Sequence, residues 1–164
     1  MRVYYCELPD ARIAPMDRSM KPQVGLLVLL LSLVLSVVGC GDPADAHRYN
    51  SSGVKLFEQG RPEEALAEYN EAIRLDPKFA AAYFNRGQTY FALGHQLEAV
   101  RDYTEAIRLN PQHPYVPLAY ASRAMSYTLL GNDPEAHQDI GRAVELGYDP
   151  RLLLRAIDKL KDQR

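Results

Sequence analysis

Few residues in this chain are equipped to do chemistry. Its 164 residues include two cysteines, Cys6 and Cys40, four histidines and no tryptophan. Two thiols cannot make a disulfide framework or a four-thiolate zinc site. His47, His95, His113 and His137 have no carboxylate partners at ligand-like spacing on one helix face, so no metal is expected. No glycine-rich phosphate loop occurs, and no Ser–His–Asp set carries a local signature. Ser51-Ser52-Gly53 reads as ordinary structural sequence. The expectation is a non-enzyme with no catalytic residue, no cofactor and no small-molecule substrate. Lys+Arg total 19 and Asp+Glu 21, a net charge of −2. That balance lacks the basic excess of a nucleic-acid surface. With 47 % hydrophobic and 24 % charged residues, the composition is that of one folded domain.

Cys40 has a context that Cys6 lacks. It follows Val24–Val38, VGLLVLLLSLVLSVV, fifteen residues without a charge, and Lys21 stands just ahead of that run. A spanning helix needs about 20 apolar residues, so this run has the length of a signal-peptide core. Val37-Val38-Gly39-Cys40 resembles the lipobox of bacterial lipoproteins. The resemblance implies that the Cys40 thiol, the one side chain nucleophilic enough for the transfer, takes up diacylglycerol. Cleavage before Cys40 and acylation of the new amine would follow. Two or more acyl chains anchor a protein stably, whereas one does not. The chain is therefore expected to be lipid-anchored in the bacterial cell envelope, facing the periplasm or the exterior. Gly41, not Asp, follows Cys40, and inner and outer membrane both stay open. Met20 is read as the true start, which makes 20–39 the signal peptide and 1–19 a start-site extension.

Beyond Cys40 the chain repeats. Residues 46–79 and 80–113 match at fourteen of 34 positions, among them Tyr49/Tyr83, Gly53/Gly87, Ala65/Ala99, Tyr69/Tyr103 and Pro77/Pro111. Such self-similarity marks a repeat array. A third copy starts at Pro117, offset by 37, with matches such as Tyr83/Tyr120, Arg86/Arg123, Asp102/Asp139 and Ala106/Ala143. The three extra residues, Pro114–Val116, are assigned to a surface turn, where insertions are tolerated. Each copy reads as two helices, Ala80–Leu93 and Gln96–Leu109 in the second, with apolar residues three and four apart. Gly94 breaks the pair and Pro111 ends it. Pro62 and Pro134 take first-turn positions, where a missing N–H costs nothing. A single helical pair cannot bury its own apolar face, so the array needs a cap. Asp149-Pro150 starts one, Arg151–Lys161, with Leu152, Leu153, Ile157 and Leu160 as its apolar stripe.

This pattern resembles the tetratricopeptide repeat family. The resemblance implies an all-α, right-handed superhelix of three helix-turn-helix repeats over 46–148 (46–79, 80–113 and 117–148). Residues 40–45 form a short linker and 149–164 the capping helix. Small residues such as Gly53, Ala65 and Ala72 admit close helix approach, and Tyr49, Leu56 and Tyr69 fill the space between them. Arg86 with Asp102, and Arg123 with Asp139, are expected to pair across each repeat as partly exposed ion pairs worth about 0–1 kcal/mol. Function in the family resides in the concave face lined by first helices. Carried onto this chain, that face comprises Asn50, Val54, Phe57, Phe84, Asn85, Gln88, Phe91, Leu118, Ser122 and Met125. Some members grip a terminal carboxylate with Lys and Arg there. Here only Asn85 matches that clamp, so the groove is expected to take apolar side chains of a partner helix or extended peptide. The competing reading is that its aromatic residues pack within and between repeats. The chain is thus read as a membrane-tethered adaptor or scaffold with a protein or peptide partner in the envelope. The alternatives are a structural, homo-oligomerising lipoprotein or an accessory subunit of an envelope enzyme.

Overall fold

A computed structural model describes residues 42–162. The extension expected over 1–19, the signal peptide expected over 20–39 and Cys40 lie outside the described residues. Seven helices follow one another among the described residues: α1 (Pro43–Glu58), α2 (Pro62–Leu75), α3 (Ala80–Ala92), α4 (Gln96–Leu109), α5 (Val116–Leu130), α6 (Asp133–Glu145) and α7 (Pro150–Lys161). They form three antiparallel hairpins, α1–α2, α3–α4 and α5–α6, with α7 closing the end. Gly94 and Gly131 turn two of the hairpins in the left-handed region, at φ of 82° and 78°, where other residues are strained.

Local chemistry sets the ends. The Asp42 side chain accepts a hydrogen bond from the Ala44 N–H at 2.9 Å, and Pro43 follows at a first-turn position. The helix therefore starts at Pro43, and the linker expected over 40–45 is correspondingly shorter. The same device starts α7: Asp149 accepts from the Arg151 N–H at 2.8 Å, ahead of Pro150 in the chain. Val116, assigned above to a surface turn, instead opens α5 and is buried.

The core is a large-into-small fit. A Cβ added to Gly53 would lie 2.6 Å from the Tyr69 ring, and one added to Gly87 3.0 Å from the Tyr103 ring. Both rings are fully buried, so neither can yield. Ala65, Ala72, Ala99 and Ala106 are also buried, and the matching positions repeat the same contact.

The Arg–Asp pairs correct one expectation. Arg86 Nε donates to Asp102 Oδ2 at 2.7 Å and Nη2 to Oδ1 at 2.8 Å; Arg123 and Asp139 repeat this fork at 2.7 and 2.8 Å. The aspartates are not partly exposed: Asp102 is 5 % and Asp139 3 % accessible. Each arginine also reaches back to the preceding repeat, Arg86 to Asn70 at 2.6 Å and Arg123 to Thr104 at 2.8 Å. Tyrosine rings flank each guanidinium, Tyr83 and Tyr90 around Arg86, Tyr120 and Tyr127 around Arg123. The result is a polar ladder that ties one repeat to the next. Burial pushes the Asp102 carboxyl above the ordinary carboxylate value, against the downward pull of Arg86. The folded carboxyl thus holds its proton more tightly than the unfolded one.

Candidate functional site

First helices touch one another along the array, α1 with α3 and α3 with α5, whereas the second helices α2, α4 and α6 do not. Closer spacing on one side curves the stack, and the first helices line its inner face. The ten residues expected there all lie on these helices. Their surroundings set an open half apart from the rest.

The open half belongs to the first two repeats. Asn85 Nδ2 on α3 donates to Asn50 Oδ1 on α1 at 3.0 Å, a partly buried bond 35 residues apart in sequence. The Asn85 carbonyl accepts from the buried Thr89 hydroxyl at 3.0 Å, which holds that turn of α3 in register. Val54, Phe57, Gln88 and Phe91 are half-buried, as are the two asparagines. These six residues come from two helices and leave both apolar and amide surface accessible.

Phe84 and Ser122 are less accessible than a groove position requires. Phe84 is only 7 % exposed and belongs to the core with Tyr103, Ala106 and Val116. The Tyr115 ring covers it, stacked at 4.7 Å between centroids and 9° between planes. Tyr115 sits in the three-residue insertion between the second and third copies, so that insertion roofs the inner face. Ser122 is buried: its carbonyl accepts from Ser126 at 3.1 Å, and its side chain is hydrogen-bonded to the Tyr103 hydroxyl. Met125 packs against the cluster that contains Leu153 and Ile157 of α7. Leu118 packs on the Phe84 cluster. Of the third repeat's three residues only Ser122 is buried; Leu118 and Met125 stay half-buried, and Phe91 of the second repeat packs on the Phe84 cluster as Leu118 does. For Phe84, the reading in which aromatics pack between repeats is the correct one.

Sequence reasoning missed a second concavity. A cleft of about 250 Å³ opens between the two inter-repeat turns, walled by Lys78, Phe79, Ala81, Asn110, His113 and Tyr115 among others. The insertion at Pro114–Val116 was the signal that could have pointed to it, because the 34-residue spacing alone leaves no side chain at that place. His113 leans on Tyr115 at 4.1 Å. The Tyr115 hydroxyl is buried without a hydrogen-bond partner, and burial raises its proton affinity. Among the described residues no group of three His, Cys, Asp or Glu could hold a metal ion. No described helix is long and apolar enough to cross a membrane.

Stacked helical hairpins with a concave face of first helices define a protein-interaction scaffold of the solenoid class. The comparisons sharpen this. A TPR repeat profile matches residues 53–94 and a tetratricopeptide repeat profile residues 80–113. The second TPR of Spaghetti (RPAP3), solved with the HSP90 peptide SRMEEVD, is 30 % identical with a TM-score of 0.60, over 64 % of this chain and 94 % of that one. The second TPR domain of human RPAP3, in complex with the HSP70 peptide SGPTIEEVD, is 28 % identical with a TM-score of 0.64, over 72 % and 96 %. The MamA protein is 27 % identical with a TM-score of 0.58, over 64 % and 56 %. No curated protein matches the chain. The chain belongs to the tetratricopeptide repeat family, whose domains mediate protein–protein interactions.

Proposed function

We propose that this protein is a membrane-tethered adaptor of the bacterial cell envelope. It captures an uncharged, apolar-bearing segment of a partner protein in the open half of its concave face. The observation that carries the reading is the make-up of that half: Val54, Phe57 and Phe91 beside the amides of Asn50, Asn85 and Gln88, with no cation among them. The peptides in the two RPAP3 structures end in Glu-Glu-Val-Asp. An acidic end of that kind needs Lys or Arg to receive it, and the groove positions of this chain supply none. The amides suit backbone groups of an extended or helical segment, and the two phenylalanines suit its apolar side chains.

Panning a random peptide library on the purified full chain tests the groove. Peptides with spaced apolar residues and no acidic C-terminal run are expected to be enriched. The Phe57→Ser/Phe91→Ser double variant should then bind them about tenfold or more weakly, since buried aromatic anchors carry most of such energy. The helical circular dichroism signal should persist, with a lowered melting temperature because Phe91 also packs on the Phe84 cluster. Enrichment of acidic C-termini, or capture that ignores the double substitution, would sink the reading.

The tether rests on Val37-Val38-Gly39-Cys40 behind the apolar run. With Asp42 already capping α1, only Gly41 separates Cys40 from the cap of the repeat array, so the adaptor works against the membrane surface. Labelled palmitate fed to bacteria making the full chain should be incorporated, and Cys40→Ser should abolish the label. An unlabelled wild-type chain would remove the envelope half of the proposal and leave the groove untouched.

A further inference from the structure

The array ends differently from the way it propagates. Against the preceding repeat, α3 and α5 rest chiefly on its second helix, α2 and α4 respectively. α7 rests chiefly on α5 and only lightly on α6. The face of α6 that should receive the next helix is therefore left open. Val144 is the counterpart, 37 residues on, of Ile107; it is 37 % exposed where Ile107 is 9 %. Leu146 beside it is exposed, as are Leu152 (59 %) and Leu154 on α7. Of the large apolar side chains exposed among the described residues, only Leu97 lies elsewhere.

Gly141 points to the same face independently. At this position α2 carries Asn70 and α4 carries Thr104, the rungs that accept from Arg86 and Arg123. In α6 the rung is missing. A Cβ on Gly141 would meet nothing within 4 Å. Glycine in mid-helix weakens the helix, and no described residue of this chain uses the space it leaves. A closely packed second helix would use it.

We propose that this end is a self-association surface: two copies pair about a twofold axis, with α7 of each against α6 of the other. Charge favours a second copy as the occupant. α6 carries Asp133, Glu135 and Glu145 against Arg142, and α7 carries Arg151, Arg155, Lys159 and Lys161 against Asp158. Twofold pairing sets a basic helix on an acidic one twice. It also closes, covering the exposed leucines without leaving a free end, whereas a head-to-tail stack would grow indefinitely. A lipid surface fits less well, because α6, on the same face, is acidic and an anionic bilayer attracts only α7. The two helices offer a face about 20 Å square, about 400 Å² per copy; this is below the range of stable interfaces, so the pair is a weak one that forms and dissociates with concentration.

Light scattering on the full chain in detergent micelles, from about 1 to 100 µM, tests this. The wild type should move from one to two chains per micelle. Gly141→Leu and Leu152→Ser/Leu154→Ser should stay at one chain while keeping their helical signal and their groove peptide binding. That retained binding separates failure here from failure of the groove reading. A wild type that is single throughout overturns the proposal, as does a pair that ignores both variants. So would selective amide-exchange protection of α7 in single-copy nanodiscs of phosphatidylglycerol over phosphatidylcholine, which would make the face a lipid-docking one.

Discussion

Asp102→Ala should destabilise the chain by about 3 kcal/mol, a fall in melting temperature of roughly 10 °C for a domain of this size. The Arg86 side chain is 18 % accessible and that of Asp102 7 %. Removing the carboxylate strands a charge that water reaches poorly. Asn70 at 2.6 Å and the rings of Tyr83 and Tyr90 remain as partial partners, which keeps the cost at the lower end for a broken buried pair. Asp102→Asn should cost less, because one acceptor stays on the fork. A short distance alone is no guide: Arg61 and Glu64 also meet at 2.6 Å, but on open surface. Glu64→Ala should leave the melting curve where it was. Circular dichroism melts of the three variants check the series. Equal shifts for Asp102→Ala and Glu64→Ala would show that burial has no part in the pair's strength.

The repeat spacing made most of the fold legible, for a physical reason. Gly53 and Gly87 stand where a tyrosine ring leaves no room for a Cβ, and a contact that tight recurs at a fixed interval only if the backbone recurs too. Side-chain environment was harder to read. Spacing put Phe84 on the inner face, and it is there. Whether it is accessible depends on Tyr115, 31 residues away in an insertion that has no counterpart between the first two copies. The burial of Asp102 and Asp139 was hidden similarly, because pairing can be read from recurrence and solvent access cannot. Leu152 fell into an apolar stripe by periodicity, yet the seat that α7 takes on α5 buries Leu153 and Ile157 and leaves Leu152 out. That seat is a tertiary choice with no local signal. What the sequence did supply at the site was composition: the absence of cations from the groove is readable position by position, whatever the packing.

Alkali should unfold this protein at a pH that ordinary surface tyrosines would not set. Burial pushes the Tyr69 hydroxyl up to about 12, and it pushes Tyr103 up as well. Both rings are 1 % accessible, and each hydroxyl is hydrogen-bonded to the next repeat, Tyr69 to Thr89 and Tyr103 to Ser122. Below pH ~10 both states keep the phenols neutral, and the full stability is present. Above that value the unfolded chain ionises and the folded chain does not. Stability is then lost at about 1.4 kcal/mol per pH unit for each tyrosine, until pH passes the folded value. Two such groups together remove about 3 kcal/mol per unit between pH ~10 and ~12, about 5–6 kcal/mol in all, enough to unfold a domain at the lower end of the typical 5–15 kcal/mol. The helical signal should therefore collapse cooperatively, and tyrosinate absorbance from these two rings should appear only with that collapse. Tyr69→Phe/Tyr103→Phe should lower stability at neutral pH by about 1 kcal/mol per lost hydrogen bond and yet move the alkaline midpoint upward. The crossing of those two effects is specific to ionisation. Phenols that all titrate near their ordinary value while the helices persist would show that the inter-repeat seams admit water, and that the large-into-small fit around Gly53 and Gly87 is looser than its distances imply.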